Sequence, residues 1–475
     1  MNPILNRRSF LQRAALAAGG ISAFSSFHIP KLLAADEPSD RLRCVQIGCG
    51  VRSMTHLDWL VNQTRDHIAA IVDPDENAQA RVLRWLKEQN QDPSKIRVFT
   101  DYRKMFDQMG KEIDAVFIAS PNHHHAPASI LAMQAGKAVF CEKPLCHDVS
   151  EARRLREMAR QSKAPTQMGN QGHCQEGYHR LCEFVWAGVV GNITETHSWT
   201  DRANGGLGPR PATERPPKGL HWDSWIGPSR YRDYHSDLHP HEWHGWYDFG
   251  NGSIGNMGCH VLDGVYWALK LEHPTSVEAE EIRGGSDERF PIGARIRWDF
   301  PARGELPPVK VYWYEGFRKG AEYDPTGALH AAKEGARNLP PLLIELQKEY
   351  PDEVFASDGT LYVGEKGILY TETYGGRMHI LPWKKMHEIS QPPKTLVRPK
   401  NVMDDFLDAC RAGKIATAAD FDYASRLTEF TLLGNLATRA GIGKKVEWNG
   451  AEMKVTNLPE LNQMVKPAYR SGWVV

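Results

Sequence analysis

The stretch "RLRCVQIGCGVRSMTHLDWLV", Arg41 to Val61, decides the fold. Its apolar run over Leu42–Ile47 predicts a strand, the glycines predict a turn, and the spacing of Leu57 and Leu60 predicts a helix. A strand, a glycine-rich turn and a helix in this order are what a dinucleotide-binding fold requires. We therefore predict that such a domain begins here.

The turn supplies the candidate phosphate-binding positions. Gly48 permits the tight turn, and Gly50 lets the backbone approach a pyrophosphate at the positive end of the helix. Ser53 occupies the position of the third glycine in a G-x-G-x-x-G pattern, which makes the motif by itself a weak signal.

A second strand, "HIAAIVD", ends at Asp73, about 20 residues after the turn. A carboxylate there can bind both hydroxyls of an adenine ribose and would repel a 2′-phosphate, so NAD is favoured over NADP. The alternative for Asp73 is an N-cap of the helix "ENAQARVLRWL", and both roles can hold together.

Strands and helices continue to alternate through "IRVFT", "YRKMFDQM", "IDAVFIAS", "APASILAMQAG" and "AVFC", which predicts a doubly wound parallel sheet, an α/β Rossmann domain. Ligands of such sheets lie beyond the carboxyl ends of the strands. The strand ends "SPNHHH" and "EKP" therefore offer Asn122 and Glu142 as cofactor-binding residues.

Lys143 leaves the sheet where a nicotinamide ring should lie, and Pro144 stops the strand from continuing. A half-desolvated lysine beside a reacting carbon has a lowered pKa and can act as a general base. The alternative is a solvated surface lysine. We predict that Lys143 is catalytic.

Length and composition limit the possible partners. The 475 residues, 41% of them apolar, predict two domains or more. Lys+Arg and Asp+Glu number 58 each, so no net charge attracts nucleic acid or anionic lipid, and we expect a small neutral ligand. The eight cysteines contain no C-x-x-C pair, which argues against a structural zinc site or a disulfide scaffold.

The first 35 residues predict a cleaved export signal. Arg7 and Arg8 precede Phe10, Leu11 and a weakly apolar Ala/Gly/Ser run, the pattern of a twin-arginine signal. An amphipathic helix and a membrane anchor are the alternatives. The signal predicts a periplasmic or otherwise exported protein that crosses the membrane already folded and has no membrane span after cleavage.

The second half of the chain is rich in β-strand patterns, such as "ARIRWDF" and "VKVYWYEG", and "GEKG" (364–367) predicts a turn between two strands. We place the nucleotide-binding domain at 40–165 and a C-terminal α+β domain for substrate binding and oligomerisation at 166–475, with the boundary near Lys163–Met168. The segment 315–351 has no clear period and is interpreted as an insertion or lid.

The segment 219–250 is rich in tryptophan and histidine. Aromatic rings with polar edges suit the faces of a sugar, so Trp222 and Trp243 are candidate substrate residues. The alternatives are a loop packed as core and a metal site at His239, His241 and His244. No Asp, Glu or Cys completes an obvious metal geometry there, and we predict no metal.

"GCG", "VDP", "SPNHHHAPASILAMQAGKAVFCEKPL" and "GSIGNMGCHVLD" together resemble the Gfo/Idh/MocA oxidoreductases, over nearly the whole chain after the signal. "SDGTLYVGEKGILYTETYGGRMHILP" and the ending "PAYRSGWVV" are similar to an exported branch of that family. The resemblance implies a Rossmann domain followed by a large open, mostly antiparallel sheet that covers the cofactor, and a carbohydrate substrate.

The resemblance also implies site residues. His125 matches a cofactor-binding histidine of the family's nucleotide-edge motif, and His124 is interpreted as its solvated neighbour. His260 matches the family's catalytic histidine, but Asn256 stands where the family usually has an aspartate one helical turn earlier. An amide can orient an imidazole but cannot stabilise its cation. Either Lys143 is the base with His260 as its partner, or the reaction runs at another pH, or turnover is lost. Asp263 could supply the missing charge, or could be structural.

The leading hypothesis is an exported NAD(H)-dependent oxidoreductase acting on a sugar hydroxyl, with a tightly bound, internally recycled cofactor and with His173 of "GNQGH" contacting substrate. The alternatives are an NAD-dependent glycosidase or lyase and a protein that retains a nucleotide with little catalysis. If Asn256 is a loss relative to aspartate, Asn256→Asp should raise activity near neutral pH. An open sheet face needs covering, so we expect a homo-oligomer.

Overall fold

The computed structural model describes residues 41–322, 332–333 and 335–473. The predicted signal, residues 1–35, and part of the predicted insertion lie outside the described residues.

The strands are β1 (Arg43–Ile47), β2 (His67–Val72), β3 (Arg97–Phe99), β4 (Ala115–Ile118), β5 (Ala138–Cys141), β6 (Thr166–Met168), β7 (Ile193–Thr200), β8 (Ser276–Arg283), β9 (Gly293–Phe300), β10 (Val309–Gly316), β11 (Gly359–Gly364), β12 (Gly367–Glu372), β13 (Met378–Ile380), β14 (Lys445–Asn449) and β15 (Lys454–Val455). The α-helices are α1 (Ser53–Asn62), α2 (Glu76–Glu88), α3 (Tyr102–Met109), α4 (His125–Gln134), α5 (Val149–Ser162), α6 (Glu176–Trp186), α7 (Trp222–Ile226), α8 (Cys259–Val261), α9 (Asp263–Ala268), α10 (Pro341–Glu349), α11 (Val402–Ala412), α12 (Phe421–Ala440) and α13 (Asn462–Val465).

The first sheet contains six parallel strands in the order β3-β2-β1-β4-β5-β6. Every residue of β4 and β5 is buried, as expected for central strands covered by helices on both faces. The strand order reverses between β1 and β4, which is where such sheets bind ligands. The predicted Rossmann fold is confirmed, and the domain boundary near Lys163–Met168 stays a prediction.

The second sheet contains nine strands in the order β13-β12-β11-β7-β10-β9-β8-β14-β15. β10 pairs with β7 in parallel, and the other pairings are antiparallel, which confirms the predicted mostly antiparallel sheet. Gly364 pairs with Gly367, so the "GEKG" turn forms as predicted.

One hydrophobic cluster joins the two domains. It contains Val45 of the first sheet, Trp298 and Trp313 of the second, and Leu427 and Leu433 of α12. Because α12 packs against α5 as well as against β8 and β9, this helix holds the second sheet to the nucleotide-binding domain. The carboxyl edge of the first sheet is thereby fixed opposite residues of the C-terminal domain.

The predicted insertion, 315–351, is partly regular structure. β10 ends at Gly316, and α10 packs Leu343 and Leu346 into a cluster with Trp199 and Tyr314.

In the described parts of the chain, no helix has the length and apolar character needed to cross a membrane. All eight cysteines are free thiols, and Cys410 is the one that is not fully buried.

Candidate active site

The turn after β1 leaves room for a nucleotide at the start of α1. Gly48 has a φ of +86°, and a Cβ there would lie 2.6 Å from the carbonyl carbon of Ala119, so only glycine fits. A Cβ on Gly50 would meet nothing within 4 Å. Ser53 donates its hydroxyl to the Gly50 carbonyl at 2.6 Å and thus supports the turn. The cradle fits a pyrophosphate.

Asp73 lies at the end of β2, beside this turn. Its two carboxylate oxygens accept the backbone N–H groups of Cys49 at 2.6 Å and Asp75 at 2.8 Å. Burial raises the pKa of Asp73 to about 6. The N-cap of α2 is Asp75, whose side chain accepts the Asn77 N–H at 2.9 Å, so the interpretation of Asp73 as that cap was wrong. The remaining lone pairs of Asp73 can accept ribose hydroxyls.

Glu142 is held by two residues of the α1 region that the sequence reading missed. Its Oε1 accepts from Arg52 Nε at 2.7 Å and lies 2.9 Å from His56 Nε2. Burial alone would raise the pKa of Glu142, but the His56 hydrogen bond and the Arg52 charge lower it to about 2. Within the described residues Oε2 is buried and lacks a partner, a cost that a donor group of a bound nucleotide would remove. The four-residue spacing of Arg52 and His56 places both side chains on one face of the helix start, and this pattern could have identified them from the sequence.

Asn122 and His125 lie in the loop after β4, and both are buried. His125 Nδ1 lies 2.8 Å from the Pro144 carbonyl and Nε2 lies 2.8 Å from the Ser120 carbonyl, so the ring joins the two strand-end loops. The cofactor-binding roles of Asn122 and His125 stay predictions. His124 is buried rather than solvated, which corrects the expectation for that residue.

Lys143 is half-buried and contacts the second domain. Its ammonium donates to the backbone carbonyl of Asn256 at 2.8 Å and to the Asn256 side-chain oxygen at 3.1 Å. Burial lowers the pKa of Lys143 to about 8. A solvated surface lysine would make neither contact, and a pKa near 8 gives a useful fraction of neutral amine.

Asn256 contacts Lys143 and not His260. It lies in a π-helical turn, Ile254–Gly258, and its amide donates to Asn204 Oδ1 at 2.9 Å. The four-residue spacing of Asn256 and His260 predicts that both side chains lie on one face of an α-helix. A π-helical turn has more residues per turn, so it rotates the two side chains away from a common face. Asn256 therefore forms hydrogen bonds with Lys143 and Asn204 rather than with the imidazole, and its catalytic role stays a prediction.

The partner of His260 is Asn170. Asn170 donates its amide to the Cys259 carbonyl at 2.9 Å, which turns its oxygen toward His260 Nδ1 at 2.8 Å. Nδ1 must then carry the proton, and Nε2 is left as an acceptor with no partner among the described residues. Burial and then the Lys143 charge hold the pKa of His260 well below its usual value. Asn170 belongs to the quoted "GNQGH", from which the sequence reading selected only His173.

His173 is also buried, but it pairs with a carboxyl group. Its Nδ1 lies 3.0 Å from Asp263 Oδ2, and Tyr423 donates to Asp263 Oδ1 at 2.6 Å. The ring stacks on Trp267 with centroids 4.1 Å apart. Asp263 therefore does not supply the charge missing at His260. The predicted contact of His173 with substrate stays a prediction.

Trp222 and Trp243 belong to one apolar cluster that fills the tryptophan-rich loop. Trp222 stacks on Trp225 with centroids 4.6 Å apart and donates its indole N–H to the Arg232 carbonyl at 2.8 Å. Trp243 stacks on the ring of His244. These contacts fit the alternative of a loop packed as core, while the substrate roles of Trp222 and Trp243 stay predictions.

In the described parts of the chain, no three His, Cys, Asp or Glu side chains are grouped to hold a metal.

Two family models match this chain. Residues 42–170 match the NAD-binding Rossmann fold of the Gfo/Idh/MocA oxidoreductase family, and residues 195–290 match its C-terminal alpha/beta domain. These matches support the family named from the sequence motifs and the prediction of NAD as the cofactor.

Curated relatives match over part of their length. The chain is 30% identical over 158 residues to an inositol 2-dehydrogenase of Corynebacterium glutamicum, a match covering 33% of this chain and 44% of the relative. It is 28% identical over 206 residues to a glycosyl hydrolase family 109 protein of Shewanella baltica, covering 40% of this chain and 44% of the relative. The chain thus spans less than half the length of these relatives.

Solved structures share the fold over most of the chain. A WlbA dehydrogenase from Bordetella pertussis, solved with NADH and UDP-GlcNAcA, gives a TM-score of 0.56 at 13% identity, over 86% of this chain and 98% of that one. An inositol dehydrogenase homologue from Azotobacter vinelandii, solved with NADH and myo-inositol, gives 0.51 at 17% identity, over 86% and 98%. At these identities the similarity concerns the fold alone.

Proposed function

We propose that this chain, whose two matched domains are those of Gfo/Idh/MocA oxidoreductases, is an NAD(H)-dependent oxidoreductase acting on a hydroxyl group of a sugar or sugar derivative. The observation that carries the proposal is the half-buried Lys143, hydrogen-bonded to Asn256 at the carboxyl edge of the nucleotide-binding sheet. The names of the inositol dehydrogenase relatives support a polyol or sugar as substrate.

NAD, when bound, supplies a hydride acceptor. The side chains of this chain supply the base that removes the proton of the substrate hydroxyl and the group that orients the substrate. The neutral amine of Lys143 takes the proton of the substrate hydroxyl, and its pKa of about 8 leaves roughly a tenth of the molecules neutral at pH 7. His260 Nε2 accepts a hydrogen bond from a neighbouring hydroxyl of the sugar and so orients the substrate, since its lowered pKa makes it a weak base.

The test is a panel of sugars, polyols and sugar acids incubated with the purified chain and NAD, with formation of reduced cofactor as the readout. We expect at least one member to reduce the cofactor. Retention of nucleotide with no reduction by any member would contradict the proposal and favour the nucleotide-retaining alternative.

A second candidate is an NAD-dependent glycosidase or lyase that oxidises its sugar transiently, eliminates a group and reduces the product again. The match to a glycosyl hydrolase family 109 protein favours it. Aryl glycosides separate the two activities, because the glycosidase would release the phenol without net formation of reduced cofactor, whereas the oxidoreductase would not release it.

We also propose that the protein is exported by its twin-arginine signal with the cofactor already bound. Free NAD is scarce outside the cytoplasm, so a cofactor that stays bound and is reoxidised in place would allow repeated turnover. Protein purified without added nucleotide should then yield NAD or NADH on acid extraction. Empty protein that needs stoichiometric free NAD would contradict this proposal.

Homo-oligomer formation is part of the same proposal. The nine-stranded sheet is open, and such a face is usually covered by a partner. Light scattering coupled to gel filtration should give a mass that is a multiple of the mature chain, and a monomer at micromolar concentration would contradict it.

A further inference from the structure

A cavity of about 340 Å³ lies where five segments of the chain meet, and its walls do not include Lys143, Asn256 or His260. The segments are 147–151 at the start of α5, the loops 228–230 and 247–251, the C-terminal part of α12, and 463–469 near the chain end. We propose that this cavity binds a small organic carboxylate that also carries hydroxyl groups, the size of one sugar acid. The inference does not depend on the proposed function.

The size and lining of the cavity set the size of the ligand. An apolar cavity of about 150 Å³ holds a benzene ring, and small-molecule sites begin at about 300 Å³. Phe290, Leu432, Leu436 and Tyr247 supply apolar walls suited to the C–H face of a sugar-like carbon chain. Ala468, at the margin of the cavity, is exposed, so a ligand can enter from solvent.

Two residues of the cavity wall each carry a buried polar atom that has no partner among the described residues. Asn251 is 3% exposed and donates its amide to the His147 carbonyl at 2.8 Å, but its Oδ1 is unpaired. His147 Nδ1 lies 3.2 Å from Asp148 Oδ2, and its Nε2 is unpaired. Burial lowers the pKa of His147, but Asp148 outweighs it and raises the pKa to about 9, so Nε2 carries a proton at neutral pH. One acceptor and one donor of this kind suit hydroxyl groups and a carboxylate.

Three carboxyl groups line the cavity, those of Asp148, Glu151 and Asp248, and each already has a hydrogen-bond or ion-pair partner. Glu151 already accepts the N–H groups of His147 and Asp148 at 2.8 and 3.0 Å and the hydroxyl of Tyr469. The Asp248 carboxylate already accepts from Arg232.

Arg439 lies over the ring of Tyr247, 4.1 Å from its centroid, and Arg230 lines the same wall. Arg439 forms no salt bridge with a carboxylate of the described residues, whereas the Arg230 charge also acts on the Asp248 carboxylate. The Arg439 guanidinium and the protonated His147 therefore favour an anion, and the unpaired amide oxygen favours one with hydroxyl groups.

The test is calorimetric titration of the full mature protein with gluconate as the probe and glucose as its neutral counterpart. We expect saturable binding of gluconate and much weaker binding of glucose. Arg439→Gln should raise the Kd for gluconate at least about tenfold, the usual effect of losing one hydrogen bond to a charged group. The control Arg84→Gln removes an exposed arginine of α2 far from the cavity wall and should leave Kd unchanged.

Two further variants make the result decisive. Ala468→Phe partly fills the cavity from its exposed margin without touching the core, and should also weaken binding. Lys143→Met should leave gluconate binding intact, because Lys143 does not line the cavity. Absence of saturable binding would overturn the proposal. So would binding that is lost in Lys143→Met but kept in Arg439→Gln, because the probe would then occupy the active site.

Discussion

The surroundings of His260 and His173 are built from the same two segments but use opposite partners. Asn170 and His173 lie three residues apart on one segment, and His260 and Asp263 lie three residues apart on the other. Across the pair, Nδ1 of His260 faces the amide oxygen of Asn170 at 2.8 Å, whereas Nδ1 of His173 faces the carboxyl group of Asp263 at 3.0 Å. The carboxyl group of Asp263 is only three residues from His260 in sequence, but the fold places it against His173.

The different partners of His260 and His173 indicate which residue can take a proton during catalysis. An amide fixes the tautomer of an imidazole but does not stabilise its cation, whereas a carboxylate does both. His260 is therefore equipped to accept a hydrogen bond, and Lys143, with its pKa near 8, is equipped to take a proton. His173, bound to Asp263 and stacked on Trp267, is equipped to hold two elements together.

The largest expected effect tests the base. Lys143→Met keeps the apolar stem and removes the amine, so we expect turnover to fall by ~10² or more while nucleotide remains bound. Steady-state kinetics on whichever substrate the panel identifies, together with NAD extracted from the purified variant, checks this. Lys104→Met, at an exposed position on α3, is the matched control and should retain full activity. Equal rates in the two variants would remove Lys143 from the mechanism.

The second prediction tests the amide beside His260. Asn170→Leu removes the acceptor that fixes the tautomer, and the loss of this buried hydrogen bond, worth about 2 kcal/mol, should lower kcat about 30-fold. Asn170→Asp should instead keep the tautomer and raise the pKa of His260, which would move the pH profile. A structural role alone would lower the stability of both variants and leave the pH profile unchanged.

The pairing of these residues explains what the sequence could predict. The Rossmann strands, the glycine turn and the position of Lys143 follow from local patterns, because each strand and its terminal residues are adjacent in the chain. The partner of His260 does not, because Asn170 is 90 residues away. The four-residue spacing of Asn256 and His260 suggested a contact that the π-turn removes.

The third prediction concerns Asn256 and reverses the expectation drawn from sequence. A carboxylate 3 Å or so from the Lys143 ammonium would raise its pKa by about one unit, so the neutral fraction and kcat/KM near pH 7 should fall about tenfold. The activity of the natural chain should rise as pH increases through 8, and that of Asn256→Asp should rise at a higher pH.

Asn256→Ala is the matched comparison. It removes one acceptor of the ammonium and leaves the backbone carbonyl, so its profile should shift to lower pH. Profiles of kcat/KM from pH 6 to 10 measure both shifts. Higher activity of Asn256→Asp at pH 7 would show that the amide impairs catalysis and that the contact with Lys143 is incidental.

The smallest effect on turnover is expected at the carboxyl group of the other histidine. Asp263→Asn weakens two buried hydrogen bonds, to His173 and to Tyr423, and should lower the free energy of unfolding by about 1–3 kcal/mol. Because neither bond reaches Lys143 or His260, kcat should stay within about a factor of two. Denaturant unfolding and kinetics on the same preparations measure both quantities, with His173→Gln as the companion variant. A kcat loss as large as that of Asn170→Leu, without a loss of stability, would place His173 at the substrate, as first predicted, and would make the two histidines partners in one site.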